Sequence, residues 1–147
     1  MCMILNEKIT EKKAIEFMEN GTSTILAWKI VSGYRIGWAT IELRSPFQRT
    51  KIDIGEQNAI GELDTIEING GAFHSYLRKD KARLDMCSYN ETLLRITIPV
   101  DSIVGFGGYK DDDPSDNHIC STKIRVSKRD YERACTKLEK FYKYMGW

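Results

Sequence analysis

Asn69-Gly70-Gly71-Ala72-Phe73-His74-Ser75-Tyr76 joins a short alternating segment to the most basic run in the chain. Before it, Thr65-Ile66-Glu67-Ile68 has the polar–apolar alternation of a half-exposed strand. After it, Leu77, Ala82, Leu84 and Met86 recur at loosely helical spacing, with Arg78, Lys79, Lys81 and Arg83 among them. The paired glycines permit backbone angles closed to other residues and the close approach of a ligand or another backbone. Ser75 is a suitable N-cap for a helix over 76–86. The stretch therefore reads as a strand-to-helix junction, and what flanks it decides the fold class.

Upstream, residues 24–31 are almost continuously apolar, as in a strand covered on both faces. Lys29 interrupts that run and, if buried, needs a partner. Ser32-Gly33 reads as a turn or bulge, 36–43 as a second strand with Trp38 and Ile41, and Pro46 as its end. Residues 51–55 alternate like a half-exposed strand, and 56–64 read as loop. Downstream, 92–100 form a strand ending near Pro99, which Ile103-Val104 extend. Gly105-Phe106-Gly107-Gly108 reads as a wide turn; it lacks the Gly-Lys-Ser/Thr ending of a phosphate loop. Asp111 to Asp116 give a solvated acidic loop without the glycine and glutamate of a calcium loop. Residues 118–127 return as a strand.

Helical periodicity marks both ends. Thr10 is an N-cap for 10–20, where Ala14, Ile15 and Met18 make an apolar stripe and Gly21 is the stop. Ser127 with Asp130 opens the last helix, along which Tyr131, Ala134, Leu138, Phe141, Tyr142 and Met145 share a face. Strands gathered between helices, without regular alternation, predict an α+β fold. The expectation is a mostly antiparallel sheet of about six or seven short strands with an N-terminal, a middle and a long C-terminal helix, in a single domain over 1–147.

The 22 basic and 21 acidic residues leave a net charge of +1, so there is no molecule-wide cationic field of the kind nucleic-acid binders use. Nucleic acid is not an expected partner on that ground, although a local basic patch is compatible with it. No stretch approaches the ~18 consecutive apolar residues of a membrane helix, and the N-terminal run is too short for a signal peptide. Cys2, Cys87, Cys120 and Cys135 are scattered and are expected as free thiols. His118 and Cys120 share a face on a strand, but zinc-ligand spacings are missing. No metal and no cofactor is expected.

Read in order, Trp28-Lys29-Ile30-Val31, Leu43-Arg44-Ser45-Pro46-Phe47, Ile54-Gly55, Gly71-Ala72-Phe73-His74-Ser75-Tyr76, Ile96-Thr97-Ile98-Pro99, Gly107-Gly108-Tyr109 and Cys120-Ser121-Thr122-Lys123-Ile124 form a pattern. It resembles that of an uncharacterised family of small phage and prophage proteins. The family shows a lysine-valine strand, Ser-Pro, Gly-Phe-His-Ser, an Ile-Pro-x-Gly turn and a closing Ser-x-x-Ile strand. The likeness covers 26–126; Ala72 is an insertion in the third motif, and Val100-Asp101 replaces Lys-Gly after Pro99. The resemblance implies a phage origin, hence the cytoplasm of a bacterial host, and no particular reaction.

His74 is the leading site candidate. It would stand at a helix start, where free N–H groups favour an anion, and it adds a group titrating near neutrality. Arg44 can grip phosphate in two-pronged geometry, with Ser45, Phe47, Ser75, Tyr76, Ser121 and Lys123 completing the expected ligand site. The acid that an ADP-ribosyltransferase-like or nucleotide-processing enzyme needs is not identifiable among Glu42, Glu67 and Glu91. The leading expectation is accordingly a non-catalytic binder of a small anionic ligand such as a nucleotide signal of host immunity. Such an enzyme is the first alternative, and a protein–protein inhibitor of a host factor is the second.

Overall fold

The structure, a computed structural model, describes residues 3–37, 40–46, 50–59, 67–68, 72–108 and 117–146. Chain order is β1 (Met3–Leu5), α1 (Glu7–Asn20), β2 (Thr24–Ile36), β3 (Thr40–Arg44), β4 (Gly55–Asn58), β5 (Glu67–Ile68) and β6 (Phe73–Tyr76). There follow α2 (Lys79–Leu84), β7 (Glu91–Pro99), a 3-10 turn (Val100–Ser102), β8 (Ile103–Gly108), β9 (His118–Ser121), β10 (Lys123–Val126) and α3 (Lys128–Tyr144). The fold is α+β, as expected. Among the described residues ten strands form one sheet in the order β4-β10-β7-β2-β6-β9-β8-β1-β5, with β3 paired to β2. The pairings are antiparallel. The sheet has more strands than the six or seven expected. β1, β4 and β5 are too short to show alternation, and Thr122 divides the expected 118–127 strand in two.

Alternation along β7 separates two faces. Leu94, Ile96 and Ile98 lie in the main core with Ala27 and Val31 of β2 and Ala134, Leu138 and Tyr142 of α3. Leu93 points to the opposite face, into a smaller cluster with Tyr76 and Ala82, against which Trp28, Ile30 and Met86 pack. α3 starts where expected: Ser127 Oγ accepts the Asp130 N–H at 3.1 Å, satisfying a donor the first turn leaves free. Near its other end Tyr142 donates its hydroxyl hydrogen to the Gly33 carbonyl at 2.8 Å. Among the described residues no helix is long and apolar enough to cross a membrane.

Several local expectations are corrected. The strand expected over 51–55 is reduced to a bridge between Lys51 and Arg44, and β4 occupies Gly55–Asn58, where loop was expected from 56 onward. Asn6, not Thr10, caps α1, with its side chain accepting from the Ile9 N–H at 3.0 Å; Thr10 lies inside the helix and accepts from the Phe106 N–H at 2.9 Å. Ser32-Gly33 is continuous strand, because Gly33 makes room for α3: a Cβ there would stand 2.6 Å from Leu138 Cδ1. Gly105 to Gly108 are strand interior, not turn. The missing side chain of Gly107 lets β1 lie against β8, where Leu5 pairs with Gly107 and Ile4 with Gly108. Finally, 73–76 is strand, and the middle helix begins only at Lys79.

Candidate functional site: an arginine-lined cleft

The last correction removes the expected helix-start pocket. β6 is an inner strand: His74 stands opposite Cys120 of β9, and Tyr76 pairs with both His118 and Trp28. Backbone groups that a helix start would offer to an anion are used here in the sheet. α2 is six residues long, and its cap residue, Arg78, makes no side-chain capping bond. The glycine pair Gly70-Gly71 and the site residue Phe47 lie outside the described residues, as do Trp38 and the acidic loop at 111–116.

The remaining site residues are spread over several surroundings. Alternation puts His74 and Tyr76 on one face of β6 and Ser75 on the other. Ser121, opposite Phe73, shares the face of Ser75. Ser75 is buried, its hydroxyl without a hydrogen-bond partner among the described residues, whereas Ser121 donates to the Lys123 carbonyl at 3.0 Å. Arg44 donates to Glu42 Oε2 at 2.6 Å, and its guanidinium lies 4.5 Å from the Tyr34 ring centroid. Ser45 is buried, its N–H bonded to the Thr50 carbonyl at 2.9 Å. Lys123 opens β10, opposite Asn58.

His74 is not poised near neutrality. Burial, helped by the nearby positive charge of Lys29, lowers its pKa from 6.5 to about 4. Lys29 itself is buried and finds the partner it needs in the His74 carbonyl, at 3.0 Å from Nζ. Cys120 is fully buried, and burial pushes its thiol up to about 12, so it is a packing residue rather than a nucleophile. Cys87 is exposed and Cys135 half-buried. On the neighbouring row Tyr76 donates to Asp85 Oδ2 at 2.9 Å, and His118 Nε2 lies 3.4 Å from the same oxygen. Among the described residues no three histidine, cysteine or acidic side chains are placed to hold a metal.

The His74 shift has a measurable consequence. Between pH 6.5 and 4 the unfolded chain binds a proton that the folded chain does not, so stability is complete above 6.5 and is lost as pH falls towards 4. With allowance for its remaining exposure, the loss is about 2 kcal/mol. Denaturant titration at a series of pH values should show that decline flattened in His74→Gln; an unchanged decline would assign it to other groups.

A cleft does occur elsewhere. About 530 Å³ opens where β10 passes into α3, lined by Leu26, Arg95, Thr97, Arg125, Arg129 and Arg133, with Ile96, Val126, Ser127 and Asp130 completing the wall. Its arginines come from β7, β10 and α3. Arg95 and Thr97 project from the exposed face of β7, and Thr97 is opposite Arg125. Arg129 and Arg133 are one helical turn apart on α3 and so share a face. Arg125 Nε lies 3.2 Å from Glu56 Oε1, whereas Arg95, Arg129 and Arg133 have no ion-pair partner among the described residues. Asp130, the one acid among the described residues of the wall, accepts the Ser127 hydroxyl hydrogen at 2.8 Å. Like charges four apart on a helix destabilise it. An anion would relieve that repulsion, and guanidinium is the side chain best shaped for phosphate.

Sequence reading passed over these arginines because each is unremarkable alone; the spacing of Arg129 and Arg133 and the exposed alternation of Arg95 and Thr97 were the available signals. Fold and cleft together define an α+β protein with one extended antiparallel sheet and a cationic recess at its β10–α3 corner. No protein-family model, curated protein or solved structure matches the chain. The phage resemblance therefore rests on its motifs alone.

Proposed function

We propose that this protein binds a small phosphate-bearing anion, with nucleotides as the leading class, in the arginine cleft and without changing it chemically. The carrying observation is the gathering of four guanidinium groups, three of them without ion-pair partners among the described residues, in a chain whose net charge is only +1. The volume suits a ligand of nucleotide size. The binding-only reading is favoured because the cleft presents donors, while its carboxylate and nearest serine are engaged with each other at the start of α3. In a phage protein of the kind the motifs resemble, such binding would sequester a nucleotide signal of host immunity.

Melting the protein with ATP, ADP, a cyclic dinucleotide and pyrophosphate tests the reading. A ligand at a hundred times its Kd stabilises by about 2.7 kcal/mol, which for a chain of this size raises Tm by about 5–11 °C. Arg95→Gln combined with Arg133→Gln should abolish the shift, and bound ligand should be recovered intact. A panel without any shift, or a shift that survives the double substitution, would remove the cleft as the site.

A further inference from the structure

The register extends the cleft into a larger surface. Thr97 lies opposite both Leu26 of β2 and Arg125 of β10, while Arg95 lies opposite Trp28. Cross-strand partners share a face, so Leu26, Trp28, Arg95, Thr97 and Arg125 form two adjoining rows on one side of the sheet. Leu26 is 43% exposed and Trp28 half-buried, an apolar floor within a basic setting. The arginine cleft bounds one side of this floor. On the other side α2 begins, and Lys79 Nζ stands 4.7 Å from the Trp28 ring centroid. Arg78 is paired with Asp80 at 2.9 Å, but Lys81 and Arg83 have no ion-pair partner among the described residues.

We propose that this face takes a single-stranded nucleic acid, its phosphates meeting the arginine cleft and α2 together and a base lying over the Leu26–Trp28 floor. The inference rests on the anion-binding reading of the cleft and names its occupant. A mononucleotide reaches only one bank of cations; a strand with a phosphate on every residue reaches both. A duplex keeps its base faces in its own stack and leaves the floor unused. An acidic peptide matches the charge but brings no flat ring to the indole. A stacked base replaces a lysine over an indole without loss, so Lys79, half-buried beside the ring, can give it up and move to a phosphate. The net charge of +1 excludes a molecule-wide field and does not bear on one face.

The test is fluorescence anisotropy of the full chain with labelled 12-nucleotide single strands, oligo-dT and oligo-U, at low salt. The expected Kd is at least tenfold below that of the corresponding mononucleotide and of a duplex of equal length. Its logarithm should change with log salt by about 0.7 for every phosphate contacted. The ratio of the two oligomers tells DNA from RNA as the source of the strand. Trp28→Ala should weaken strand binding about tenfold. Because that variant removes a half-buried ring, Lys81→Gln with Arg83→Gln, both at exposed positions, is the second probe; it should weaken the strand about fivefold and leave the nucleotide-induced Tm shift intact. Equal binding of the duplex, or equally effective competition by poly-glutamate, overturns the inference. A Tm shift with mononucleotide and no gain for the strand overturns it while the anion-binding reading stands, and absence of both removes the two together.

Discussion

Gly107→Ala is expected to lower stability by about 3 kcal/mol and Tm by about 6–12 °C. A Cβ at this position would lie 1.9 Å from the Ile4 carbonyl oxygen, 2.9 Å from its carbon and 3.0 Å from Leu5 Cα. All three are backbone atoms, so no rotamer change relieves the overlap. β1 would have to withdraw from β8, losing the Leu5–Gly107 and Ile4–Gly108 pairings. The damage extends into α1, because its cap residue Asn6 donates its N–H to the Phe106 carbonyl at 2.8 Å. Gly33→Ala provides the control. Its nearest obstacle, at 2.6 Å, is Leu138 Cδ1, the end of a side chain that can turn aside, and a smaller loss is expected. Urea unfolding of both variants decides the matter. A Gly107→Ala loss below that of Gly33→Ala would mean that β1 does not lie against β8 as described.

The same glycine shows where sequence reading stops. Composition marks Gly105-Phe106-Gly107-Gly108 as a turn because glycine is far commoner there than inside a sheet. Only the neighbour that presses against Gly107 reveals its purpose, and that neighbour, β1, is about a hundred residues away in sequence. Ser75 misled in a similar way. A small hydroxyl residue ahead of a basic apolar run reads as a helix cap, but the pairing of β6 with β9 overrides that local preference. α3 was legible because its boundary and its stripe are local: Ser127, Asp130 and the Ala134–Leu138–Tyr142 face lie within a few turns of each other. The first part of β2, to Val31, was legible from its apolar run, and β7 from a strand-like stretch ending at Pro99. The arginine cleft was not, since Arg95 reaches Arg125 only through the β7–β10 register and Arg129 only through the turn of the chain into α3.

Lys29 should be a liability whose removal strengthens the fold. The side chain is 3% exposed on an inner strand, bonded to the His74 carbonyl at 3.0 Å and 5.8 Å from the Phe73 ring centroid. Burial lowers its pKa from 10.5 to about 8, against a small opposing influence from Cys120. Below pH 8 the amine is charged in both folded and unfolded chains, and the full desolvation penalty applies. Between pH 8 and 10.5 the folded chain releases a proton that the unfolded chain keeps, so stability rises with pH; above 10.5 both are neutral. The difference across that window is about 3 kcal/mol. In the folded chain Cys120, held up to about 12, stays protonated throughout it, whereas in the unfolded chain it ionises from 9.0, an opposing fall that wild type and variant share. Lys29→Met keeps the length and loses the charge. It leaves one carbonyl with a partner fewer, which costs about 1 kcal/mol, so a net gain of about 2 kcal/mol at pH 7 is expected. The rise between pH 8 and 10.5 should vanish from the variant, and comparing the two proteins cancels the other groups that titrate there. A less stable variant at pH 7 that retains the full alkaline rise would show that the amine is not sealed in the core as a charged group.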